Sequence, residues 1–244
     1  MIKFENVNKR FGKLQALNNI QIHCKQGESI ALLGPNGCGK TTLIKSILNM
    51  VVPDSGSIEI LGVKVSGDCS YRQKIGYMPQ IGRYPENMTV KQVMDTILSL
   101  RANEESKDLS LYESFKIGEI LDKRMGTLSG GTRQKVSAVL AFLFNPDILI
   151  LDEPTAGLDP LAAEILKVKM IQKRNEGKLI LITSHLLSEL EDVVSQVIFM
   201  QDGSIQLHES KTDIIQRSGE KSLAKAIAKI LFTENQTKSG EGQA

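Results

Sequence analysis

The chain has 244 residues, 41% hydrophobic and 24% charged, with no Trp and a formal net charge of +2. That length suits one large domain, or one domain with a subdomain, built around an ample core. Lys and Arg are scattered among Asp and Glu with no polybasic block, which argues against nucleic acid or an anionic membrane as the main partner.

The first residues, MIKFENVNKRF, have no apolar stretch after their charges and do not read as a signal peptide. Apolar runs such as Ile148–Leu151 and Leu179–Ile182 fall far short of the roughly 18 residues that span a bilayer. Cys24, Cys38 and Cys69 lack metal or redox spacing and suit a reducing cytoplasm.

In chain order, Ile2–Val7 and Ile20–Cys24 read as short strands joined through a turn at Phe11-Gly12-Lys13. Ser29–Leu33 is a buried-strand run, and Thr41–Met50 is helix-like. Pro53–Gly56 is a turn before a strand at Ser57–Leu61, and Lys74–Met78 is another strand. Helical spacing at Met88–Arg101, Leu111–Lys123 and Gly130–Phe144 predicts a mostly helical insertion at about residues 85–145. Asp147–Leu151 and Lys178–Thr183 are buried strands, with helices predicted at Pro160–Asn175 and Leu186–Val194. Asp202-Gly203 between Val197–Gln201 and Ser204–His208 is a strong hairpin signal. Alternating strands and helices imply a mostly parallel sheet covered on both faces, with no internal repeat. A boundary falls near residue 215. Beyond it, Ser222–Phe232 is a short amphipathic helix expected to pack on its own domain, and Thr233–Ala244 is polar and expected to fray.

The most informative stretch is Gly34-Pro35-Asn36-Gly37-Cys38-Gly39-Lys40-Thr41, which reads G-x-x-x-x-G-K-T between the Ser29–Leu33 strand and a helix. Gly34, Gly37 and Gly39 allow positive φ and bring backbone N–H groups close to an anion. The helix start aims its positive dipole end at the same spot. In such a loop Lys40 reaches the β- and γ-phosphates and the Thr41 hydroxyl takes a place on Mg²⁺. Cys38 is a neutral filler of the cradle, whose thiol is expected to make nucleotide binding sensitive to alkylation.

A phosphate loop needs an acid to hold the metal and a group to activate water. Asp152 and Glu153, at the end of the strand Ile148–Leu151, supply both: Asp152 for Mg²⁺ and Glu153 for the attacking water. A base of this kind is worth about 10²–10⁴-fold in rate, roughly 3–5 kcal/mol of barrier. Leu128-Ser129-Gly130-Gly131 adds an N-cap serine and bare glycine N–H groups at another helix start, a second anion site. One chain thus carries two phosphate-binding surfaces, each incomplete for enclosing a triphosphate.

These motifs, in order and over residues 1 to about 210, resemble the ATP-binding subunits of ABC transporters. Gly34–Thr42 looks like the Walker A loop, Gln80 like the Q-loop glutamine, and Leu128–Gly131 like the signature motif. Ile148–Glu153 looks like Walker B, Ala156-Gly157-Leu158-Asp159 like the D-loop, and His185 like the switch histidine. Phe11 falls where the family stacks an aromatic, usually Tyr, on adenine.

The resemblance implies an α/β P-loop NTPase fold: a RecA-like core, an N-terminal antiparallel β subdomain and an α-helical insertion. It also implies a head-to-tail dimer. ATP and Mg²⁺ would bind Lys40, Thr41, Thr42, Gln80 and Asp152 of one copy, and Ser129, Gly130 and Gly131 of the other would close over the γ-phosphate. Glu153 and His185 would complete the catalytic set with Lys40, and Asp159 would add a D-loop contact. The partners implied are a transmembrane permease subunit and a second ATP-binding subunit, with the chain peripheral on the cytoplasmic face of the membrane.

Thr132 stands where many importers carry Gln, and the helical insertion is short, both of which look exporter-like. Tyr77–Thr89 and Gly130–Phe144 are similar to NosF-type ATPases of copper-site maturation for nitrous-oxide reductase. A soluble ABC ATPase driving iron–sulfur-type assembly is the alternative class. A P-loop kinase or GTPase leaves Leu128–Gly131, Gln80 and His185 unexplained.

Overall fold

The structure, a computed structural model, describes residues 1–65, 67, 69–101, 107–184 and 187–240, the last seven by backbone alone. Ile2–Phe11 and Leu14–Cys24 alternate buried and exposed side chains, the signature of strands with one wet face. They form the antiparallel pair β1 and β2, closed by Gly12 at φ +57° and extending well past the short strands expected from sequence. β1 pairs on its other side with β4, Ser55–Ile60, and β4 with β5, Val63–Lys64.

The second sheet is built differently. β3 (Ser29–Leu33), β6 (Ile75–Met78), β7 (Ile148–Asp152) and β8 (Leu179–Thr183) are almost continuously apolar, because both faces are covered. β9 (Gln196–Gln201) adds a parallel neighbour to β3, and β10 (Ser204–Ser210) returns antiparallel through Asp202 and Gly203, both at positive φ. The order is β10-β9-β3-β8-β7-β6.

The period-two alternation of these strands divides the core. Ile30, Leu32, Ile150 and Leu181 face α1 (Lys40–Ile47) and the antiparallel sheet. Ala31, Leu33, Leu149, Leu151, Ile180 and Ile182 belong to the cluster that includes α2 (Val90–Leu100), α4 (Gly130–Phe142) and α5 (Pro160–Asn175).

Leu111–Lys123 is not one helix. Only α3, Ser110–Ser114, is α-helical; Lys116 turns left-handed at φ +51° and a 3₁₀ turn follows at Ile117–Ile120. This break returns the chain to the start of α2, where the carbonyls of Lys123 and Leu121 accept the N–H groups of Val90 and Lys91 at 3.0 and 2.9 Å. Helix-start donors have no intrahelical partners, so these carbonyls satisfy them from outside α2.

Leu186–Val194 also departs from expectation. Its described part has only a 3₁₀ turn at Leu187–Glu189, which still buries Leu187, Leu190, Val193 and Val194. Tight turns reproduce the apolar spacing of a helix, which is why the pattern misled. After α6, Lys211–Ser218, the terminal helix α7 runs from Leu223 to Gly240, beyond the expected end at Phe232. Leu223, Ala226, Ile227 and Ile230 lay one stripe of α7 on the core.

Just before α3, Asp108 joins the helical insertion to α5. Its Oδ2 lies 2.6 Å from Lys169 Nζ and 2.9 Å from Lys173 Nζ, both lysines being buried. Burial opposes the charged carboxylate, but hydrogen bonds from Lys169, Ser110 and Lys173 outweigh it and hold the carboxyl well below its usual range.

Candidate nucleotide site

β3 ends at Leu33 and the chain enters a loop that admits no side chain at two points. A Cβ on Gly34 would lie 2.1 Å from Met200 O, and one on Gly39 would lie 2.4 Å from Ala16 O; both residues sit at positive φ. The backbone is thereby packed against its supports while α1 begins at Lys40 with no side-chain cap and no acid in its first turn. An uncapped helix start behind a glycine loop is an anion seat. Lys40 Nζ arches back over the loop and donates to Gly34 O at 2.7 Å and Pro35 O at 3.1 Å.

One cleft gathers most of the sequence-predicted residues. Asn36, Gly37, Gly39, Lys40, Thr41 and Thr42 form its floor, and Gln80, Asp152 and Glu153 line the same space. Phe11 stands at its mouth, 48% exposed, with Lys9 Nζ 5.3 Å from the ring centroid. Leu14, paired across the hairpin with Phe11 and 62% exposed, extends this apolar edge. Leu14 was not singled out from sequence; its register opposite Phe11 was the available signal.

Cys38 does not line the cleft. Its N–H donates to Pro35 O at 3.3 Å, and the residue is 3% exposed, with its thiol beneath Gly34. The thiol is thus less accessible to alkylation than its place in the loop suggests, although its Sγ lies 3.8 Å from Lys40 Nζ.

Asp152 closes β7, and Thr183, opposite it in register on β8, donates a hydrogen bond from Oγ1 to Asp152 Oδ1. Glu153 then leaves the strand with φ +52°. Its N–H reaches Thr183 O and Oγ1, each at 3.2 Å, and its carbonyl accepts from Gln134 Nε2 and Ala156 N, each at 3.1 Å. Thr183 and Gln134 were missed in the sequence. Thr183 reads there as a strand residue, and Gln134 stands out as a buried amide only once the packing of α4 is known.

Ser129, Gly130 and Gly131 lie apart from that cleft, at the start of α4. Ser129 Oγ accepts from Thr132 N at 3.2 Å and lies 2.8 Å from Thr132 Oγ1. A Cβ on Gly131 would come within 2.4 Å of Gly157 O, so the second glycine is what lets the Ala156–Asp159 turn approach α4. Asp159 caps α5 by accepting from Ala162 N at 2.9 Å and pairs with Lys135 at 2.6 Å. The Lys135 hydrogen bond, with that of Ala162 N–H, lowers the Asp159 carboxyl from its ordinary value. His185 lies outside the described residues.

A glycine phosphate loop between a parallel strand and a helix, facing an Asp–Glu strand end in one cleft, defines a P-loop nucleoside triphosphatase. The ABC transporter family model matches residues 17–156. Over 207 residues the chain is 34% identical to the Nod factor export ATP-binding protein I of Burkholderia orbicola (strain AU 1054), covering 83% of this chain and 68% of that protein. Its fold is similar to a solved ATP-binding subunit of an ABC transporter, with TM-score 0.86, 27% identity, and coverage of 95% and 99% of the two chains. It is also similar to an ATP-binding cassette solved as a dimer in a post-hydrolysis state with ADP and Pi, with TM-score 0.73, 25% identity and coverage of 86% and 98%. The chain belongs to the ABC transporter ATP-binding family and is an ABC ATPase.

Proposed function

We propose that two copies of this chain enclose ATP head to tail, and that ATP-driven closure and hydrolysis power export through a separate membrane permease. The observation that carries this reading is the division of the phosphate-binding groups. Lys40, Thr41 and Asp152 share one cleft, while Ser129–Gly131 open elsewhere on the same chain. A second copy brings the two halves together.

In this reading Lys40 turns from the Gly34 and Pro35 carbonyls to the β- and γ-phosphates, and the helix-start N–H groups hold the rest of the phosphate chain. Thr41, Gln80 and Asp152 offer hard oxygen donors in one cleft, a set that suits Mg²⁺ bound together with substrate phosphates. The ion supplies neutralisation of phosphate charge. Phe11 presents a π face to the base. Glu153 orients water and accepts its proton, and His185 contacts the γ-phosphate from the switch position. Ser129, Gly130 and Gly131 of the second copy donate from their helix start, with Asp159 setting the adjoining turn. Catalysis is chiefly positioning and charge stabilisation.

Export as the direction is supported by the export role in the name of the Burkholderia relative and by the short helical insertion. The chain would then sit on the inner membrane face through its permease, since no described helix is long and apolar enough to cross a membrane. Similarity of Tyr77–Thr89 and Gly130–Phe144 to NosF-type ATPases supports copper-site maturation as the setting of that step. Glu153→Gln tests the core of the reading: ATP should convert it from monomer to a stable dimer on size exclusion. Hydrolysis at the wild-type rate by that variant would sink the assignment of the base.

A further inference from the structure

Glu153 holds a backbone conformation that a side-chain-bearing residue adopts at a cost of roughly 1–2 kcal/mol. Something must fix it, because the direction of the carboxylate follows from that turn. Both polar ends of the residue are held. Its N–H is bound by Thr183 at the end of β8, and its carbonyl accepts from Gln134 Nε2 at 3.1 Å. Gln134 is 6% exposed, an amide on the buried side of α4 among Val136, Ala138 and Val139. A buried amide in such company persists only with a partner, and here the partner is the carbonyl of Glu153.

From this contact we propose that Gln134 is a positioning residue for Glu153. The helix whose first turn carries Ser129–Gly131 would thereby set the aim of its own chain's general base. The inference rests on the ATPase reading of Glu153 and adds a consequence to it. In a head-to-tail pair, the start of α4 faces the ATP held by the other copy, while Gln134, one turn further on, holds the base for the ATP of its own copy. A shift of α4 on closing over one nucleotide is transmitted to the water-activating group at the other. The register of α4 is held independently by Ser137, whose Oγ lies 3.0 Å from Tyr84 Oη in the segment after Gln80. A Cβ on Gly82 would come within 2.4 Å of the same Ser137 Oγ, so that segment is packed tightly against the helix.

The test uses the full chain and Gln134→Met, which keeps length and apolar packing and removes the donor. Its kcat should fall by about 10- to 100-fold, the scale on which small misplacement of a reacting group acts. KM, and the dissociation constant of a fluorescent ATP analogue, should stay within about twofold, because the phosphate loop is untouched. In single-turnover assays, Gln134→Met placed on Glu153→Gln should add no further loss, since it acts through the side chain already removed. A structural role would instead lower the rate by the same factor in both backgrounds, and that result overturns the proposal. So does a Gln134→Met kcat within about twofold of wild type. Should Gln134→Met fail to fold, Gln134→Asn, one methylene shorter, should show the same split between kcat and KM, and a wild-type kcat there overturns the proposal equally. Failure of the ATPase reading is distinguishable: Glu153→Gln would itself turn over at the wild-type rate.

Discussion

Asp108→Asn tests how the helical insertion is anchored. The carboxylate is 14% exposed and faces Lys169 and Lys173, whose side chains are 6% and 4% exposed. An amide in its place turns a neutral, partly positive NH₂ or a weaker oxygen toward two ammonium groups. Breaking a buried pair by removing one partner costs about 3–5 kcal/mol. Lys173 keeps Glu176 at 2.9 Å and Asn145 Oδ1 at 2.7 Å, and Lys169 keeps Gln172 Oε1 at 3.2 Å. The expected loss is therefore lower, about 2–3 kcal/mol, or a fall in Tm of about 5–10 °C for a domain of this size.

The same contact predicts a pH dependence. The Asp108 carboxyl is lowered in the folded state, so its contribution is complete above the unfolded value of about 3.9 and is lost as pH falls below that toward the folded value. Thermal melts of wild type and Asp108→Asn at pH 7 and at lower pH would show a gap that narrows on acidification. A shift under about 2 °C at pH 7, or a gap that widens as pH falls, would refute the reasoning.

Further predictions concern the cleft. Phe11→Ala should weaken ATP and ADP alike by about five- to hundredfold, the scale of base–aromatic stacking, while inorganic tripolyphosphate binds unchanged in competition assays. Thr183→Val removes the hydroxyl that donates to Asp152, and a Mg²⁺ titration of ATPase activity should show a half-saturating concentration raised about tenfold or more. A maleimide applied to the native chain should label Cys69, which is partly exposed, and spare Cys24 and Cys38. Burial, with the nearby Glu28 charge, pushes the Cys24 thiol up to about 12, adding a chemical reason for its silence. Peptide mass spectrometry reads the outcome, and rapid labelling of Cys38 would contradict its placement under Gly34.

The parts of the site that were legible in the sequence are those where chemistry demands a residue type at fixed spacing. Gly34 and Gly39 admit no Cβ, Lys40 and Thr41 follow at a helix start, and Asp152 ends a strand whose five apolar-rich positions are unmistakable. Strands β3 and β8 and helix α5 were readable for the same reason, since full burial or a capped, proline-started helix leaves a local trace. What stayed hidden was set by distant partners. The break at Lys116 follows from the needs of the α2 N-terminus, many residues away. Leu187–Val194 buries helix-spaced residues without forming a helix, because the core and not the local backbone fixes it. Gln134 and Thr183 matter through a turn at Glu153 that no spacing rule announces.

The central claim is that each ATP is completed by two copies. Lys40→Ala removes the phosphate-loop ammonium, and Ser129→Arg blocks the opposite half-site; each variant alone should be inactive. Mixed in equal amounts, they form heterodimers in which one site combines an intact phosphate loop with an intact Ser129–Gly131 turn. With random pairing, half the dimers carry one working site of two, so the mixture should recover about a quarter of wild-type ATPase activity. No recovery in a mixture shown to exchange subunits, or full activity from Ser129→Arg alone, would contradict the account.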